Sequence, residues 1–65
     1  MNYTEHEYIQ AGYMYEKAKT GDQTRARAEV LRLMLESERI DDRAHARYLV
    51  EQGRKDARWK TAPSP

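Results

Sequence analysis

The sequence predicts an all-α fold: a small bundle of two or three helices, a helical hairpin plus a C-terminal helix, completed by pairing into a dimer. Three observations predict it. Only three glycines and two prolines occur in 65 residues, and both prolines lie in the last three positions, so almost nothing interrupts a helix. No stretch alternates apolar and polar residues as a half-buried strand must. Apolar residues recur instead at three- and four-residue spacing in three successive segments.

The dimer expectation comes from size. A chain this short buries about 60% of the surface its unfolded form exposes, and such a core supplies roughly 3–5 kcal/mol. There is no cysteine, which rules out disulfides and thiolate zinc sites. A second copy is the remaining way to enlarge the core.

Helix 1 has a clear start. Thr4 and Glu7 stand at capping-box spacing, where hydroxyl and carboxylate each satisfy a free backbone N–H, and Tyr3 and Tyr8 stand at the spacing of a hydrophobic staple. Tyr8, Ala11, Gly12, Tyr15 and Ala18 share one face with Met14 at its edge, leaving Ile9 and Tyr13 outside it. Gly21 suits a left-handed exit, so the helix is expected to end near Thr20.

Asp22 is then placed to cap helix 2. That helix carries Ala26, Val30, Leu33, Met34 and Ser37 on one face and Ala28, Leu31 and Leu35 on nearly the opposite one. It therefore needs cover on two sides, and Leu33 is expected in the core. Helix 1 supplies one cover; a third helix or a second molecule supplies the other.

At Glu38–Asp42 the chain either breaks, with Asp41 or Asp42 capping a new helix, or runs on as one helix from Thr24 to about Arg58. The break is favoured. Beyond it, Ala46, Leu49, Val50, Gly53 and Ala57 make a narrow face whose small residues allow close approach to helix 2. Residues 1–58 thus read as a single helical domain and residues 59–65 as a frayed polar tail.

The chemistry-bearing patterns are sparse. His6-Glu7-Tyr8-Ile9-Gln10 misses the zinc-protease motif because its second ligand position is Gln10. Neither Ser37 nor Ser64 has a histidine at helical spacing, and no glycine-rich phosphate loop is present. No enzyme activity, metal or cofactor is expected. No apolar run reaches the roughly 20 residues a membrane helix needs and no secretion-signal layout opens the chain, so no membrane partner and a cytoplasmic location are the expectation.

Twelve basic residues nearly balance eleven acidic ones, for a net charge of +1, which is unlike a strongly electrostatic nucleic-acid binder. Even so, Arg43, Arg47, Arg54 and Arg58 fall within roughly 60° of one another on a helical wheel. One reading is a strip that follows phosphates or an acidic partner. The favoured one is a solvated face with Arg47–Glu51 and Glu51–Lys55 pairs, each worth a few tenths of a kcal/mol. Tyr3 and Tyr13 are the tyrosines expected to be exposed, either as partner contacts or as helix-flank packing. Together with Leu31 and Leu35 on the second face of helix 2, these residues form the candidate interaction set.

Tyr8-x-x-Ala11-Gly12-x-x-Tyr15, then Gly21-Asp22, then Ala26-x-x-x-Val30-x-x-Leu33, resembles one tetratricopeptide-type helical hairpin. The Tyr15–Ala26 spacing is two residues longer than that repeat's, and no second copy follows. The resemblance implies a helix–turn–helix hairpin. In size, charge density and lack of cysteine the whole chain also resembles the small helical accessory proteins of lambdoid phage and prophage early regions. That resemblance implies a protein that adjusts a host or phage process by binding another macromolecule. The expected function is a non-catalytic protein–protein interaction module whose partners are a second copy of itself and another protein. Nucleic-acid binding through Arg43–Arg58 is the alternative.

Overall fold

The computed structural model describes residues 2–19 and 21–61, Lys60 and Thr61 by backbone only. These residues form three helices and no strand: α1 (Glu5–Lys17), α2 (Thr24–Glu36) and α3 (Ile40–Thr61).

The start of α1 follows the sequence. Glu7 N–H donates to Thr4 Oγ1 at 3.1 Å, and Thr4 N–H donates to Glu7 Oε1 at 3.1 Å. Tyr3 packs edge-on against Tyr8, ring centroids 5.8 Å apart, completing the staple. Thr4→Ala should cost about 0.5–2 kcal/mol, the usual loss for an N-cap hydroxyl. A urea melt superposable on that of the unaltered protein would show that α1 does not depend on this cap.

The turn between α1 and α2 departs from expectation. The last helical residue of α1 is Lys17, and its C-cap Ala18 is right-handed. No described glycine has positive φ, so the left-handed exit at Gly21 is not used; Thr20 lies outside the described residues. Asp22 does not cap α2 either. Gln23 occupies the N-cap, its side chain accepting from Arg27 and not from the helix's free N–H groups, and the Thr24 hydroxyl donates back to the carbonyls of Ala18 and Gly21. The turn is closed by a threonine inside the next helix rather than by an acid before it.

The break before α3 is present, and Arg43 spans it. Arg43 Nε donates to the Leu35 carbonyl at 3.1 Å and Arg43 Nη2 to the Glu38 carbonyl at 3.2 Å. These bonds clamp the turn from the α3 side, adding to the bond from Glu38 N–H to the same Leu35 carbonyl at 3.2 Å. Asp41 and Asp42 lie within the first turn of α3 rather than ahead of it, where negative charge still complements the helix dipole. Because α3 continues to Thr61, Trp59 is helical and not part of a tail. Residues 62–65 lie outside the described set.

The α3 face inferred from sequence is the buried one: Ala46, Leu49, Val50, Gly53 and Ala57 are all buried. Its close neighbour, however, is α1 and not α2. Gly12 of α1 faces the Val50 backbone, and Gly53 of α3 faces the backbone of Ile9 and Tyr13. With no Cβ at either contact the two helices nearly touch. This brings α3 over the Ile9 side of α1 and packs Ile9 against the core, although the periodicity placed it outside.

The α2 helix touches α1 and meets α3 only sparingly. It therefore buries one stripe, Leu31 and Met34 with half-buried Leu35, along the border between the two faces read from sequence. Leu33 is 54% exposed and Val30 46% exposed, which overturns the placement of Leu33 in the core. Leu33→Ala should accordingly change monomer stability by no more than about 0.5 kcal/mol, as at an ordinary surface position, instead of the several kcal/mol lost at a buried leucine.

Candidate interaction surfaces

The outer side of α2 carries an open apolar stripe. Ala26, Val30 and Leu33 stand on it, all exposed, spaced four and three residues apart so that they form one stripe along the helix. Charges border one side: Arg25, Glu29, Arg32 and Glu36, in that order. Arg32 pairs with Glu29, and its Nη1 reaches Glu36 Oε1 at 2.9 Å. All are exposed, so these bonds can change partner at little cost.

A groove runs between α2 and α3 where the two helices stand apart. Tyr15, Leu31, Leu35 and Val50 contribute its apolar lining, and Arg47 and Arg54 are among its polar residues. Leu31, expected to be available to a partner, is 9% exposed and belongs to the core; Leu35 is half-buried. The reason is the stripe described above: the Leu31–Leu35 side of α2 faces inward.

The four arginines do not act as one strip. Arg43 is committed to the end of α2. Arg54 Nε donates to Glu16 Oε1 at 2.9 Å, and Arg58 donates to Glu16 at 3.2 Å and to Glu51 at 3.0 Å. Burial disfavours the Glu16 charge. The hydrogen bond from Arg54 and the positive charges of Arg54, Lys19 and Arg58 outweigh it and hold the carboxyl below its ordinary value. Glu51 turns towards Arg54 and Arg58, not towards Arg47 and Lys55 as helical spacing suggested. A long-range partner, Glu16 on α1, gathers Arg54 and Arg58, and Glu51 pairs with the same two. Arg47 is exposed.

The two candidate tyrosines are half-buried. Tyr3 lies against Tyr8, and Lys17 Nζ sits 5.4 Å from the Tyr13 ring centroid. The exposed aromatics are instead Tyr48 and Trp59, at 59% and 85% exposure on α3. His45 stacks on Tyr48 and pairs with Glu5 at 3.1 Å. Among the described residues, no group of three or more His, Asp or Glu is arranged to hold a metal ion, and no helix is long and apolar enough to cross a membrane.

Sequence reasoning missed one buried polar cluster. Glu38 is 4% exposed and Tyr8 fully buried. The Tyr8 hydroxyl lies 2.5 Å from Glu38 Oε1 and 3.0 Å from the Met34 carbonyl, and Asn2 N–H donates to the same carboxylate at 3.0 Å. Glu38 carries no periodicity signal because it sits in a turn. Compared with known protein families, curated proteins and solved structures, the chain matches none of them.

Proposed function

We propose that this protein is a helical interaction module that works by occupying a protein surface, in keeping with the phage-accessory resemblance. One observation carries the reading: α2 turns Val30 and Leu33 outward in a continuous stripe while its other side already fills the core. Two exposed branched apolar side chains in line on one helix form a ready contact for another helix or an apolar cleft. The test is affinity purification from the source cell's extract with the unaltered chain and with Leu33→Lys. Proteins retained by the first and lost from the second support the reading. The same proteins on both would remove α2 as the binding face.

A second reading keeps one observation of its own. Tyr48 and Trp59 stand exposed on α3, and exposed aromatics near basic side chains can stack on the bases of a single strand. With Arg54 and Arg58 already shared with acids, few cations remain for phosphates. Affinity for mixed single-stranded DNA that falls steeply with salt, and that charge reversal at the exposed Arg47 and Lys55 (Arg47→Glu with Lys55→Glu) abolishes, would put this reading first.

A further inference from the structure

We infer that the occupant of the outer α2 face is a second copy of the same helix, lying antiparallel. This rests on the reading of α2 as the binding face and adds its partner and orientation. The argument is the order of charges beside the stripe. Along one flank α2 reads Arg25, Glu29, Arg32, Glu36: plus, minus, plus, minus.

A two-fold axis across an antiparallel helix pair keeps each flank on its own side and reverses its order. The reversed sequence is minus, plus, minus, plus, so every charge meets its opposite. Placed with Val30 beside the axis, Arg25 comes level with Glu36 of the other copy, and Glu29 with its Arg32, each within one residue of helical rise. The same placement sets Ala26 opposite Leu33, a small residue against a large one, in both halves of the symmetric contact. A parallel pair instead lays this flank against the opposite one, where Gln23, Arg27 and Met34 stand, and only one acid finds a cation.

The flanking charges select the orientation and the stripe supplies the attraction. The stripe is one short helix long, so the pair belongs at the small, weak end of interfaces.

The absence of cysteine makes the test direct, since each introduced thiol is the only one in the protein. Sedimentation of the full chain should show a monomer–dimer equilibrium below about 0.5 mM, a concentration range suited to a weak pair. Oxidised Val30→Cys should form a disulfide dimer. Ala26→Cys and Leu33→Cys should cross-link when mixed but not alone, because like positions lie roughly 10 Å apart along the axis, beyond disulfide reach.

Arg25→Glu with Arg32→Glu makes the flank wholly acidic, and Glu29→Arg with Glu36→Arg makes it wholly basic. Each pair of substitutions should weaken self-association by about tenfold or more, and mixing the two proteins should restore it. All these positions are exposed, and helicity by circular dichroism confirms that each variant is folded. A chain that stays monomeric throughout overturns the inference and leaves the α2 face to the extract experiment. Self-linking through Ala26→Cys means a parallel pair and also overturns it. A dimer indifferent to Leu33→Lys and not linked through position 30 overturns the inference and likewise leaves the α2 face to the extract experiment.

Discussion

Replacing Gly53 with alanine should remove about half of the protein's stability, and adding Gly12→Ala should leave it largely unfolded. A Cβ at Gly53 would overlap the Ile9 carbonyl and lie 2.9 Å from the Tyr13 nitrogen; one at Gly12 would overlap the Val50 carbonyl. The obstacles are backbone atoms inside helices, which no rotamer change can move. Overpacking costs about 1–3 kcal/mol, occasionally more, even where side chains can yield. Alanine's better helix propensity returns only about 1 kcal/mol.

The sole relief is to part α1 from α3, which loosens Tyr8, Leu49 and Val50 together, in a domain with roughly 3–5 kcal/mol in all. Gly21→Ala is the matched control: its Cβ would meet only the Ala18 carbonyl, at 3.7 Å, with φ in the ordinary range. It should be neutral or stabilise by about 0.4–1 kcal/mol through the unfolded chain. Thermal melts of the three variants decide the matter. A Gly53→Ala protein melting with the unaltered one would mean that the helices do not approach as closely as described.

These glycines mark where the sequence stops being legible. Spacing placed Gly12 and Gly53 on apolar faces and identified every buried residue of α3 named from it. It also located the capping box and the break before α3. It did not say which two faces meet, because periodicity gives each helix a buried side but no partner for it. Spacing alone therefore pairs α3 with α2 and leaves Ile9 outside, whereas the glycine contacts pair α3 with α1.

The same ambiguity misplaced Leu33. Two apolar stripes on α2 are consistent with either one inside, and the contact with α1 selects the border between them. At the surface, Arg43 could be read as one member of a cationic strip. Its hydrogen bonds to Leu35 and Glu38 depend on a turn whose geometry no spacing rule supplies. The proposed interaction face was therefore readable as an excess of apolar residues on α2, but not as Val30 and Leu33 in particular.

Tyr8 should be the position least tolerant of truncation. It is fully buried between the helices, and its hydroxyl serves both Glu38 and the Met34 carbonyl. Tyr8→Ala removes an aromatic side chain from the core at about 3–5 kcal/mol, enough by itself to abolish cooperative unfolding. Tyr8→Phe keeps the packing and separates out the polar part. It removes the phenol's hydrogen bond to a carboxylate while Asn2 N–H still serves Glu38 and the Ser37 hydroxyl still serves Met34, at a cost of about 1.5–3 kcal/mol, the usual worth of a hydrogen bond to a charged group.

The pH dependence then identifies the acceptor. The Tyr8 hydroxyl bond, against burial but with the backbone N–H groups of Asn2 and Tyr3, holds the Glu38 carboxyl below its ordinary value of 4.5. Between the folded and unfolded values the unfolded chain binds more protons, so stability rises with pH there. This contribution is complete above pH 4.5 and drains away as the pH falls through the lower, folded value. Burial and the neighbouring carboxylate push the Tyr8 hydroxyl far above its ordinary value, so it stays a donor throughout. Urea melts from pH 6 down to pH 3 should therefore show a stability loss that is clearly shallower in Tyr8→Phe, where Glu38 has lost the largest cause of its lowered value. A loss of equal steepness in both proteins would place the acid-sensitive group elsewhere, first at Glu16 beside Arg54.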